Sequence, residues 1–169
     1  MSFKIKFCFL GLFALLFSAC GNDASKHHMA LNEANGFDSI YDTNASTLKS
    51  TSAADPQGQK KLILYFFSSM CDGCEMMAPI LSQINKENAN TIAYGIMTDS
   101  TGFDRDLDIM RVKKVDFIST STPKSATYFS QLIGGITGTP TIVVYDAQGK
   151  RKKTFVGIVS KDDILKALE

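Results

Sequence analysis

Cys71-Asp72-Gly73-Cys74 is the part of this chain whose residue types and spacing can do chemistry. Two thiols separated by two residues close a small disulfide when the second curls back along the first turn of a helix. The apolar run Leu62-Ile63-Leu64-Tyr65-Phe66-Phe67 precedes the pair, and an amphipathic stretch, Met76 to Ile84, follows it. A strand therefore delivers the first cysteine to a helix start, where free N–H groups and the positive end of the dipole favour a thiolate. As a fold staple the pair would do little, because the closed loop is tiny and its entropic effect small. That points to thiol–disulfide exchange. Asp72 opposes a thiolate at Cys71, no Lys, Arg or His lies within the motif, and Glu75 is expected to face water. A soft-metal reading is open too, since Cys71, Cys74, Met70, Met76 and Met77 are copper(I)-type ligands. Methionines at a helix start more simply pack a core, and both histidines stand far upstream, at 27 and 28. No metal and no cofactor is expected.

The elements that must hold the pair follow from periodicity. A strand over 62–67 leads to a helix over about 72–89 and a strand over 91–97. Residues 98–123 form a long polar segment with near-helical spacing from Asp104 to Val115. Thr122-Pro123 supplies an N-cap and first-turn proline for a helix over about 123–132, ended by Gly134-Gly135. Strands over 140–145 and 151–158 flank Asp146-Ala147-Gln148-Gly149 as a hairpin. Ser160 with Asp163 opens a last helix over 161–168. Parallel βαβ units followed by a hairpin give an α/β fold with a mixed sheet covered on both faces. Lys150-Arg151-Lys152-Lys153 is expected to be a solvated sheet edge.

The N-terminus has another character. Lys4 and Lys6 precede an apolar run from Phe7 to Phe17, short for a bilayer span, and Phe17-Ser18-Ala19-Cys20 closes it. The layout resembles a bacterial lipoprotein signal, with Phe17 where leucine is usual. The resemblance implies cleavage before Cys20 and lipidation of that cysteine, which places the protein on a membrane from the periplasmic side. Loss of Lys4 and Lys6 takes the net charge from +1 to −1, so nothing suggests nucleic acid. Residues 20–36 read as a polar tether, and 37–58 as a short strand and short helix at the front of one domain, 37–169. His27-His28-Met29 lacks converging further ligands for a metal site.

Cys-x-x-Cys, Pro79 five residues beyond it, Gly138-Thr139-Pro140 before the penultimate strand, then a hairpin and final helix together resemble the thioredoxin superfamily. Within it, Gly138 to Lys150 is similar to exported lipoprotein members and to periplasmic disulfide isomerases and reductases. The resemblance covers about 60–169 and implies a three-layer α/β/α sandwich. It makes Cys71 the nucleophile and Cys74 the resolving thiol. Pro140 becomes a cis-proline beside them, Thr139 a backbone partner for substrate, and Pro79 a structural kink. Departures are Met70 for tryptophan, Asp72-Gly73 for Gly-Pro, and Tyr65 where thioredoxin has a buried aspartate. The function implied is reduction of disulfides in exported proteins, apocytochrome c among them, with electrons from a membrane thiol-reducing protein. Alternatives within reach of the same residues are an oxidase or isomerase, a copper-handling lipoprotein, and a non-catalytic binding lipoprotein.

Overall fold

The computed structural model describes residues 24–29, 37–42, 46–120 and 122–169. Three antiparallel strands form a first sheet in the order β1 (Ala24–Met29), β2 (Phe37–Asp42), β3 (Thr47–Ser52). The main sheet has five strands: β4 (Lys61–Phe67), β5 (Thr91–Met97), β6 (Ser119–Thr120), β7 (Thr141–Tyr145) and β8 (Arg151–Val156). Their order is β6-β5-β4-β7-β8. β4 lies at the centre, parallel to β5 and antiparallel to β7. The helices are α1 (Asp72–Glu87), α2 (Phe103–Val112), α3 (Pro123–Ile133) and α4 (Lys161–Leu168).

Burial on both faces explains why β4 reads as a continuous apolar run. Ile63, Tyr65 and Phe67 enter one core with Met77, Leu81 and Ile84 of α1, Met110 of α2 and Ile164 of α4. Leu62, Leu64 and Phe66 enter the other, with Ala126 and Phe129 of α3 and Leu48 of β3. The sheet is thus the middle of three layers, the expected sandwich. Local signals set the helix ends. Thr122 Oγ1 accepts from Ser125 N at 3.2 Å, Ser160 Oγ accepts from Asp163 N at 3.1 Å, and Gly134 closes α3 in the left-handed region.

Two expectations for the front of the chain are corrected. In the span 37–58, the described residues, 37–42 and 46–58, hold two strands and a bridged turn at Asp55 and no helix. The reason is the period-2 burial of Leu48, Ser50 and Ser52 along β3. The span 20–36 read as a tether, yet Ala24–Met29 pairs along its whole length with β2. The ladder is made by backbone groups, which composition does not reveal. β3 is fixed to the main sheet where Leu48 N donates to Gly149 O at 2.8 Å. Gly149 has a φ of +84°, and a Cβ there would meet Leu48 O at 2.6 Å, so the approach needs glycine.

Candidate redox site

The chain leaves β4 at Phe67 and crosses Ser68, Ser69 and Met70 before α1 begins. The Ser69 N–H donates to both carboxylate oxygens of Asp99, at 3.0 and 3.1 Å, and its hydroxyl donates to Asp99 as well. That clamp fixes the crossing to the end of β5. Cys71 is the N-cap of α1, in extended conformation, and its Sγ accepts from Cys74 N at 3.1 Å. The capping role normally taken by a Ser or Asp oxygen is taken by the sulfur itself, which is where a thiolate gains most from the helix start. Cys71 and Cys74 are joined in a disulfide with Cα atoms 5.3 Å apart. Cys74 is fully buried, and Cys71 keeps the little exposure the pair has. Attack by or on solvent-borne sulfur therefore goes through Cys71.

The Thr139–Pro140 peptide is cis. A Cβ built on Gly73 would stand 3.2 Å from Pro140 Cδ and 3.4 Å from Ile158 Cγ1, so the proline ring lies against the inter-cysteine turn. Gly157 N donates to Pro140 O at 2.8 Å, and Ser68 Oγ and Thr139 Oγ1 are 3.0 Å apart. Thr139's own N–H and C=O make no backbone hydrogen bond to another described residue. Beside the loop opens a cleft of about 530 Å³, lined by Thr98, Ser130, Gln131, Thr137, Gly138 and Thr139 among others. The structure thus brings together all four residues expected at the site in the domain.

Two residues beneath and beside the pair were not foreseen in these roles. Tyr65, in the place of an acid, is buried and donates its phenol proton to Cys74 O at 2.9 Å. Burial pushes its pKa well above the ordinary tyrosine value. Lys113, at the C-terminal cap of α2, reaches back across the chain. Its ammonium donates to Cys71 O at 3.1 Å and to Glu75 Oε1 at 2.9 Å, with the lysine side chain only 6% exposed. A cation does therefore stand at the motif, and Glu75 is paired instead of simply solvated. The hydrogen bond from Lys113, and then its charge, hold the Glu75 carboxyl below its ordinary pKa. The sequence offered only Lys113-Lys114 at the end of a near-helical segment, an ordinary helix terminus.

Other singled-out residues part from the site. Met77 is buried, its Sδ 3.4 Å from Val159 N, while Met70 and Met76 are exposed. His27, His28 and Met29 lie on β1. Among the described residues no cluster of three or more His, Cys, Asp or Glu could hold a metal ion. Cys20 lies outside the described residues. Lys150 to Lys153 are exposed along the hairpin and edge strand β8, and Arg151 donates to Leu132 O and Ile133 O at 3.0 Å each, closing the C-terminus of α3. No described helix is long and apolar enough to cross a membrane.

Residues 49–169 match the family described as a thioredoxin-like domain. Among solved structures, a thiol:disulfide interchange protein from Chlorobium tepidum is 20% identical, with a TM-score of 0.59, over 86% of this chain and 91% of its own. StoA from Bacillus subtilis is 17% identical with a TM-score of 0.59, over 86% and 97%. A secreted disulfide oxidoreductase from Mycobacterium tuberculosis is 17% identical with a TM-score of 0.56, over 83% and 91%. These likenesses are of fold. No curated protein matches the chain in sequence.

Proposed function

The chain belongs to the thioredoxin-like domain family, and from that premise we propose that it is an exported, lipid-anchored reductase of protein disulfides. That it is a thiol–disulfide oxidoreductase follows from the family and the intact Cys71–Cys74 pair. One observation carries the chemistry: Cys71 Sγ caps α1, accepting the Cys74 N–H at 3.1 Å, beside the cis Thr139–Pro140 loop. In the reduced protein the Cys71 thiolate attacks one sulfur of a substrate disulfide. The Cys71–substrate bond forms as the substrate S–S breaks, and the other substrate sulfur leaves as a thiolate and takes a proton. Cys74 then loses its proton and attacks Cys71 Sγ, re-forming the internal disulfide and freeing the second substrate thiol. The substrate has gained two electrons and two protons, which a membrane thiol-reducing protein must restore to this pair.

Substrate binding is assigned to the Thr139 backbone, whose N–H and C=O make no backbone hydrogen bond to another described residue and so suit an extended segment added as a strand. Exported proteins, including the Cys-x-x-Cys of apocytochrome c, are the substrate class this reading favours. Support for export comes from the N-terminal sequence. Lys4, Lys6, the Phe7–Phe17 run and Ser18-Ala19-Cys20 have a lipoprotein signal's layout. The chains joined to Cys20 would anchor residues 20–36, here including β1, to a bacterial membrane facing the periplasm.

The decisive experiment is a Cys74→Ser trap in the intact cell. The variant is expected to accumulate, through Cys71, mixed disulfides with exported proteins, and to leave the membrane fraction when Cys20 is also replaced by Ala. Absence of any mixed disulfide, together with no reduction of insulin by the purified wild type, would overturn the assignment.

A further inference from the structure

We propose that Lys113, held by Glu75, is a positioning residue that sets the stability of the Cys71 thiolate and thereby the poise of the redox pair. The inference rests on the exchange chemistry just assigned to Cys71. Lys113 stands 42 residues from Cys71 in sequence, yet its ammonium binds the carbonyl of the attacking residue at 3.1 Å. Being buried, that charge acts through protein, whereas its partner Glu75 is 52% exposed and is screened by water. At the sulfur the cation therefore outweighs the carboxylate, and it offsets Asp72.

Other charged groups stand near Cys71 among the described residues. Asp72 and Glu75 come from α1, and Lys114 follows Lys113 beyond α2. Asp99 and Arg105 meet at Ser69, where Arg105 Nη2 is 3.4 Å from the hydroxyl. Across the turn, the atoms facing Gly73 belong to Pro140 and Ile158, neither of them charged. Lys113 is the buried cation among these, and Glu75 is the group that determines how much of its charge remains uncompensated.

A clamp that merely joined α2 to α1 would be weakened in the same way by loss of either partner. Electrostatic tuning gives opposite signs instead. In Lys113→Met the Cys71 pKa should rise by about one unit, a tenfold loss of thiolate below it. In Glu75→Gln the uncompensated ammonium should lower that pKa. Lys113→Arg should restore the wild-type value. The readout is the pH dependence of alkylation of the reduced full-length protein, with the equilibrium against glutathione as a second measure. A tenfold weaker thiolate corresponds to a couple about 30 mV more reducing.

Shifts in opposite directions support the proposal; shifts in the same direction, or none, overturn it. Should Lys113→Met fail to melt cooperatively, Glu75→Gln still decides, since that side chain is half-exposed and its loss leaves no buried cavity. Insulin reduction by the wild type reports on the function separately. Turnover with unmoved pKa values overturns the tuning alone, while opposite shifts without any turnover overturn the reductase reading alone.

Discussion

The disulfide has two unlike walls. On the β5 and α2 side it meets charge: Lys113 on the Cys71 carbonyl, Glu75 beside it, and Asp99 gripping Ser69. On the β7 and β8 side it meets a proline ring, Ile158 and bare backbone, with Gly73 packed against both. The two walls answer different demands. A thiolate needs cations and N–H donors, which stabilise it before any substrate arrives. A substrate chain that is to be bound in many sequences needs apolar contact and peptide hydrogen bonds, because neither depends on its side-chain charges. On the roles proposed above, the division would separate how reactive Cys71 is from what Cys71 reacts with, and substitutions test it.

The largest expected effect is on the apolar wall. Gly73→Val puts methyl groups where a Cβ already stands 3.2 Å from Pro140 Cδ and 3.4 Å from Ile158 Cγ1. The proline loop must retreat, at a cost of about 1–3 kcal/mol. Reduction of a protein disulfide should fall about tenfold or more in kcat/KM, while reaction of Cys71 with a small aromatic disulfide and its alkylation pKa stay near the wild type. Equal losses toward large and small disulfides would break the comparison.

How far the sequence revealed these walls depends on the range of the forces involved. The pair itself, β4, α1, α3, the hairpin and α4 were legible because periodicity, caps and turn residues are local signals. The cis peptide before Pro140, set against the inter-cysteine turn, was legible through the ordered motif set. The charged wall was not. Lys113 meets Cys71 only because α2 folds back over the end of β4, and no local pattern distinguishes it from Lys114 next to it. β1, and the second strand that stands within 37–58 in place of a helix, were hidden for a related reason: their ladders are made by backbone groups, and Ala24–Met29 carries little apolar signal of its own. Tyr65 was read as a missing acid. Its actual contact, a hydrogen bond to Cys74 O, needs the strand and helix placed in space.

Tyr65 lies under the pair, between the walls, and sharpens the contrast by being neutral. Tyr65→Phe removes the bond to the buried Cys74 carbonyl and should lower stability by about 1 kcal/mol, read as a shift in urea midpoint. It should leave the alkylation pKa of Cys71 in place, unlike the Lys113 and Glu75 variants. The folded state holds this phenol neutral while the unfolded chain lets it ionise near the ordinary value of 10.0. Above that pH the unfolded state releases a proton and the folded state does not, so stability falls as pH rises. Tyr65→Phe should show a shallower alkaline fall than the wild type.

The smallest effect tests whether Glu75 differs from an ordinary surface carboxylate. Hydrogen bonds from Lys113 to Glu75, and from Lys161 and Gln83 to Glu87, hold both carboxyls below the ordinary glutamate value of 4.5. For Asp116 burial pushes upward, but hydrogen bonds from Lys86 and Ser82 outweigh it and leave the pKa below 3.8. All three groups bind protons more readily in the unfolded chain, so stability is fully present above about pH 4.5 and is lost as pH falls through the depressed folded values. Urea midpoints measured from neutral to acid pH should show that limb, and added salt should weaken it, since all three carboxylates are about half-exposed to water. Glu87→Gln and Glu75→Gln should each flatten it by a similar small amount. Only Glu75→Gln should also move the alkylation pKa of Cys71, because its partner is the buried ammonium on the Cys71 carbonyl, while the Glu87–Lys161 pair joins α1 to α4 at the far end of the helix. A matching shift in Glu87→Gln would mean that the reactivity of Cys71 follows the overall charge of the domain, and the charged wall would lose its special standing.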